Sequence, residues 1–146
     1  MPKGADRGQA GFTLVELMIV VAIVAILAAI GAVRYQSMVQ KTREGTTKGN
    51  AASVRIALAI YYGDREGVWP TTLDPAGWQN HLLSVYLDKM PEVALTQAGP
   101  SSQVSALASG AVPTAPGVGW AYDSDKGRIY VNSNYNDSNG NSYTTY

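Results

Sequence analysis

The chain has 146 residues, with 11 lysines and arginines against 11 aspartates and glutamates, one histidine and no cysteine. That balance creates no net field favouring nucleic acid or an acidic ligand, and without cysteine there are neither disulfides nor thiolate chemistry. With His81 as the single histidine and no Walker or dinucleotide fingerprint, most nucleophile–base pairs and metal clusters are also excluded, so no enzymatic activity is expected.

Residues 1–11, MPKGADRGQAG, form a short polar leader. Residues 12–33 follow as one apolar run, interrupted only near its start by Thr13 and Glu16; from Leu17 to Val33 no side chain is charged or strongly polar. As a helix the run would be roughly 33 Å long, enough for a hydrocarbon core of about 30 Å. In a secretory signal the apolar region precedes the cleavage point and is lost with it; here it would stay on the mature chain. A carboxylate in such a run costs about 2.5–3.5 kcal/mol near a helix centre and is rarely left without a purpose, which singles out Glu16.

Gly11-Phe12-Thr13-Leu14-Val15-Glu16 followed by an apolar helix resembles the processing site of type IV pilins and of the related pseudopilins of type II secretion. The resemblance implies cleavage between Gly11 and Phe12 by a prepilin peptidase, N-methylation of Phe12, and a role for Glu16 in assembly. It also implies a type IV pilin-like α+β fold, a long amino-terminal helix whose second half packs on a small antiparallel sheet. The implied partners are further copies of the chain in a helical filament, the membrane, and an inner-membrane assembly platform with its ATPase; no nucleic acid is implied. The precursor is expected in the inner membrane with its head exported, and the product in a surface filament. The alternatives are a major pseudopilin of type II secretion, in a pseudopilus spanning the periplasm, and a monomeric membrane-anchored binding module using residues 96–119. Orientation by charge conflicts with the resemblance. Lys3 and Arg7 precede the run, whereas Arg34, Lys41, Arg43 and Lys48 follow it, and a count of nearby basic residues alone would put the following side in the cytoplasm.

Residues 34–62 are expected to continue the helix in amphipathic form. Apolar or small residues recur at Tyr35, Met38, Val39, Thr42, Gly45, Gly49, Ala52, Ile56 and Ile60, close to the 3.6 period, and read as its covered face. The weak point is Gly45–Asn50, where each glycine costs about 1 kcal/mol relative to alanine. Many family members carry glycine in place of Ala25 and proline in place of Val33, so the resemblance implies a more continuous helix here.

The head is expected over residues 63–146. A short helix at about 75–89 would present Trp78, Leu82, Leu83, Tyr86 and Leu87 to the core and His81 to solvent. The uncharged Ala/Ser/Gly/Pro-rich stretch 96–119 reads as a surface loop. Period-two alternation on either side of Ser124-Asp125-Lys126-Gly127 predicts a hairpin over about 119–132, with Trp120 and Tyr122 facing the long helix. Residues 133–146 form a polar, turn-rich tail. Asp137, Asn139 and Asn141 place oxygen ligands at alternate positions, as calcium loops do, and major pseudopilins as a family bind calcium in this region; no closing acid follows them, and a turn is the plainer reading. Otherwise no cofactor is expected. Many type IV pilins close this region with a disulfide, so another device must hold it here.

Overall fold

The computed structural model describes residues 11–73, 82, 85–95, 97, 99–114, 117 and 119–146. The chain divides into two units, Met1–Ser37 and Met38–Tyr146.

Helix α1 runs from Leu14 to Asp64 and its assignment is unbroken through Gly31, Gly45 and Gly49. In the first unit every described residue is exposed, and the apolar side chains from Phe12 to Val33 have no protein cover. Among the described residues this is the one helix long and apolar enough to cross a membrane.

In the second unit α1 buries Glu44, Thr47, Ala51, Val54, Ala57, Leu58 and Tyr61, a three–four spacing that puts them on one face. This corrects the sequence reading. Met38, Thr42, Gly45, Gly49, Ala52, Ile56 and Ile60 lie on the opposite side and are exposed. Both faces carry a near-3.6 apolar period, so periodicity could not choose between them. Tertiary packing chose the face bearing Val54, Leu58 and Tyr61. The helix ends where Glu66 and Gly67 adopt positive φ (56° and 87°), and the Gly67 N–H reaches back to the Tyr62 carbonyl at 3.0 Å.

Five short strands complete the unit. β1 (Val93–Leu95) pairs antiparallel with β2 (Gly99–Ser101). β3 (Val104–Ala106) lies parallel to β4 (Trp120–Asp123), which pairs antiparallel with β5 (Arg128–Val131) in the register Trp120 with Val131 and Asp123 with Arg128. Leu58, Val54 and Tyr61 of α1 join Trp120, Tyr122, Ile129 and Val131 in one buried cluster, each large side chain contributing about 1.5–3 kcal/mol by burial. Trp120 and Tyr122 are two apart and so share a face; their polar ends are satisfied, Nε1–H donating to the Pro91 carbonyl (2.7 Å) and O–H to the Pro70 carbonyl (2.8 Å). β4 is buried along its whole length because it has a strand on each side.

Three readings of the head change. The stretch 96–119 holds two strands, β2 and β3, and the segment after β3 is the crossover a parallel pair requires. Its Ala/Ser/Gly/Pro composition has low strand propensity, so these edge strands gave no signal. Gly119 makes the parallel contact feasible: at φ 74°, a Cβ there would overlap the Gln103 carbonyl oxygen, which accepts the Trp120 N–H at 2.7 Å. Gly119→Ala is therefore expected to cost about 3 kcal/mol in a thermal melt, against about 1 kcal/mol for Gly140→Ala, where φ is also positive but space is open. Most of the predicted helix at 75–89, including His81, lies outside the described residues. At its end Tyr86 and Leu87 N–H both bond the Leu82 carbonyl, and turns and bends follow to Lys89 in place of helix. Residues 133–146 are more ordered than a polar tail: Asn136 bridges Ser142, Tyr143–Thr145 form a 3-10 turn, and Tyr143 and Tyr146 are buried.

Candidate functional site: the start of α1 and the clasp on its second half

Thr13 caps α1. Its Oγ1 accepts the Glu16 N–H (3.2 Å), while Glu16 Oε2 accepts both the Thr13 N–H and the Thr13 O–H at 2.9 Å. This reciprocal pair is a capping box, in which Thr and Glu three residues apart satisfy each other's donors; the acid also sits in the first turn, where the helix dipole favours negative charge. Glu16 is therefore not without partners inside one chain. Those partners are neutral, and no described cation pairs with it. Gly11 and Phe12 precede the helix in non-helical form and are exposed, Phe12 at 83%. Together the structure places Gly11, Phe12 and Glu16 on one accessible segment, with the acid one turn beyond the Gly11–Phe12 peptide bond.

The second cluster was missed in the sequence. Glu44 points inward at 5% exposure and collects four donors: Ser138 N–H (2.9 Å) and Oγ–H (2.7 Å), Gln40 Nε2 (2.9 Å) and Tyr143 O–H (3.2 Å). Burial pushes its carboxyl up, but the hydrogen bonds from Ser138, Gln40 and Tyr143 prevail and hold it below the ordinary value. One turn on, Lys48 pairs with Asp137 at 3.7 Å and sits 4.2 Å from the centre of the Tyr146 ring. Arg55 donates to the Ile129 carbonyl (3.2 Å) and to the Tyr146 main-chain oxygen. Thr47 Oγ1 accepts the Ala94 N–H (3.0 Å), and Asn50 donates to the Glu92 carbonyl (2.7 Å). Five polar side chains of α1, Glu44, Thr47, Lys48, Asn50 and Arg55, thus hold residues 92–94, Ile129 and the 137–146 segment without a covalent bond. Glu44 shares the spacing of Ala51, Val54 and Leu58, but periodicity does not say that this row is the buried one, so the sequence carried no signal for the cluster.

Asp137, Asn139 and Asn141 come together, but as a turn. Asp137 Oδ1 accepts the N–H groups of Asn139 and Asn141, each at 2.8 Å, and Oδ2 accepts the Tyr146 O–H at 2.9 Å. Burial raises this carboxyl, yet the donors from Asn141, Tyr146 and Asn139 bring it down to about 2. The Asp137 carboxylate here meets N–H and O–H donors where a cation would need further acceptors. Millimolar calcium is accordingly expected to leave the melting temperature unchanged.

The family described as the prokaryotic N-terminal methylation motif matches residues 6–32. The fimbrial protein EcpC of Eikenella corrodens is 37% identical over 98 residues, covering 67% of this chain and 61% of that protein. The type IV major pilin protein PilE1 of Neisseria gonorrhoeae is 42% identical over 69 residues, 47% of this chain and 31% of its own length. The type IV major alpha-pilin of Moraxella bovis is 46% identical over 59 residues, 39% and 37% of the two chains. The chain thus spans between 31% and 61% of the length of these relatives. No solved structure matches.

Proposed function

We propose that this chain, which carries the prokaryotic N-terminal methylation motif and is similar to fimbrial proteins and major type IV pilins, is a major-pilin-like structural subunit of a helical extracellular filament. One observation carries the reading: the methylation motif coincides with an apolar helix exposed on every side. Such a surface is dry in only two settings, a bilayer and a bundle of its own copies. A subunit that moves from the first to the second exchanges lipid contacts for close packing, to which Ala25, Ala28, Ala29 and Ala32 lend small side chains.

Prepilin peptidase cuts between Gly11 and Phe12, and methylation of the freed Phe12 amine preserves its positive charge. The capping box holds the Glu16 carboxylate one turn away with neutral donors only. That carboxylate is available to the Phe12 amine of a neighbouring copy, and a pairing between copies fixes their register. The subunit waits in the inner membrane as a single-pass precursor with its head exported, and the assembly platform and its ATPase draw it into the filament. The matched relatives are fimbrial proteins and major pilins, which supports a pilus over a type II secretion pseudopilus.

Electron microscopy of shed surface material, with mass spectrometry of its amino terminus, tests the reading. Filaments whose subunit begins at a methylated Phe12 are expected. Native material that begins at Met1 and stays as single copies in lipid would sink it.

A further inference from the structure

The turn that closes the clasp contains a chemically vulnerable pair of residues. Asparagine is a thermolabile residue type, and of the seven in this chain Asn139 alone is followed by glycine. Asp137–Gly140 is a hydrogen-bonded turn. The Gly140 N–H donates to the Asp137 carbonyl (3.0 Å), and the Asp137 N–H donates to the Asn141 carbonyl (2.7 Å) beside the Asn136–Ser142 bridge. Gly140 takes φ 85°, the left-handed geometry that lets so short a hairpin close, which is why glycine follows the asparagine. Both residues are exposed. The Asn139 N–H is held by Asp137 Oδ1 (2.8 Å), but its side-chain amide has no hydrogen-bond partner among the described residues. Apart from the two adjoining residues, nothing lies within 4 Å of where a Gly140 Cβ would stand, so no side chain shields the peptide nitrogen there.

We propose that Asn139 is a site of spontaneous covalent rearrangement, gated by this turn, whose product loosens the clasp. The Gly140 nitrogen, on losing its proton to water, attacks Cγ of Asn139. A bond forms between that nitrogen and Cγ, the Cγ–Nδ2 bond breaks, and the side-chain nitrogen departs as ammonia, leaving a five-membered succinimide. Water then opens the ring, giving aspartate when it adds at Cγ and isoaspartate when it adds at the main-chain carbonyl carbon. Neither step needs an oxidant, a reductant or an enzyme. In the closed turn the Gly140 proton is held toward the Asp137 carbonyl, so the reaction waits for local opening. Isoaspartate then adds a methylene to the backbone inside the turn that sets Asp137 on Lys48 (3.7 Å) and Ser138 on Glu44 (2.9 and 2.7 Å). Either product also brings a further carboxylate beside Asp137, where Lys48 is the one cation paired among the described residues. Aspartate keeps the backbone length and so disturbs the turn less. The chemistry is the same in a single chain and in a filament.

Ageing the detergent-solubilised full chain in mildly alkaline heavy-oxygen water, followed by peptide mass spectrometry, tests the site. Residue 139 should gain one heavy oxygen, with isoaspartate among the products. The exposed Asn134, Asn136 and Asn141, each followed by a residue with a side chain, should keep their amides. Glu44→Ala, which frees Ser138, should speed the conversion about tenfold or more, and the chain unfolded in urea should set the upper limit. Asn139→Gln, which would have to close a larger ring, should stay intact. The isoaspartate fraction, separated by chromatography, should melt about 5 °C or more below the fresh chain, with Asn139→Asp remaining close to the fresh value. An amide retained at residue 139 in both the native and the Glu44→Ala chains would overturn the site. Equal rates in folded and urea-unfolded chain would overturn the gate, and equal melting of the isoaspartate fraction and the fresh chain would overturn the loosening.

Discussion

A Glu16→Gln chain is expected to insert in the membrane, keep its first helical turn and make no filament, whereas Glu16→Ala loses the turn as well. The two differ because glutamine serves in a capping box as glutamate does, accepting the Thr13 N–H and O–H that Glu16 Oε2 accepts at 2.9 Å. Alanine removes the box, at about 1 kcal/mol. Glutamine removes only the charge. If Glu16 acts through its cap, the glutamine chain assembles and the alanine chain does not. If it acts by pairing with the amine of a neighbouring copy, both fail, since an ion pair broken in a dry interior costs about 3–5 kcal/mol, more than a hundredfold at each subunit contact. Counting surface filaments at matched levels of membrane-inserted precursor separates the two. Normal filaments from Glu16→Gln would end the register role.

Glu44→Ala is expected to destabilise the head by about 3 kcal/mol, a fall of roughly 12 °C in the melting temperature of the detergent-solubilised chain. The loss exceeds that of one hydrogen bond because the Ser138 N–H, the Ser138 hydroxyl and the Tyr143 hydroxyl lose their acceptor together, in a site that is 5% exposed. Glu44→Gln keeps an acceptor and should lose about half as much. The pH dependence has a definite sign. Glu44 and Asp137 both titrate below their ordinary values in the fold, Asp137 at about 2 against 3.8. Their stabilisation is complete above the unfolded values and fades as pH falls, for Asp137 between about 4 and about 2. Tyr143 works in the other direction. Burial, with Glu44 beside it, raises its hydroxyl from 10.0 to about 12, so that contribution is complete below pH 10 and lost as pH climbs to 12. A melt series should show a plateau between these limits. In Glu44→Ala the acid limb should be shallower; an unchanged limb would show that the clasp does not govern acid stability.

The start of α1 was legible from residue order alone, because its chemistry is local. Glu16 and the unbroken apolar run are neighbours along one helix, and the exposed span and the processing motif need no distant partner; the Thr13–Glu16 capping box is as local, but it was the structure that showed it. The β4–β5 hairpin was legible for a similar reason: Trp120 and Tyr122 alternate against Ile129 and Val131 on either side of a turn. What the sequence could not disclose depends on contacts between remote segments. Two apolar rows run along the second half of α1 with nearly the same period, and only the sheet and the 137–146 segment determine which row is covered. Glu44 and Ser138 are 94 positions apart, so nothing near either one announces a clasp that stands in for a disulfide. The strands inside 96–119 exist because Gly119 admits the Gln103 carbonyl, a fit between backbones that composition does not record. By itself the sequence determined the helix and its amino-terminal motif; tertiary structure decided which side of the helix is left bare, because burial is a property of what packs against a face and not of the face alone.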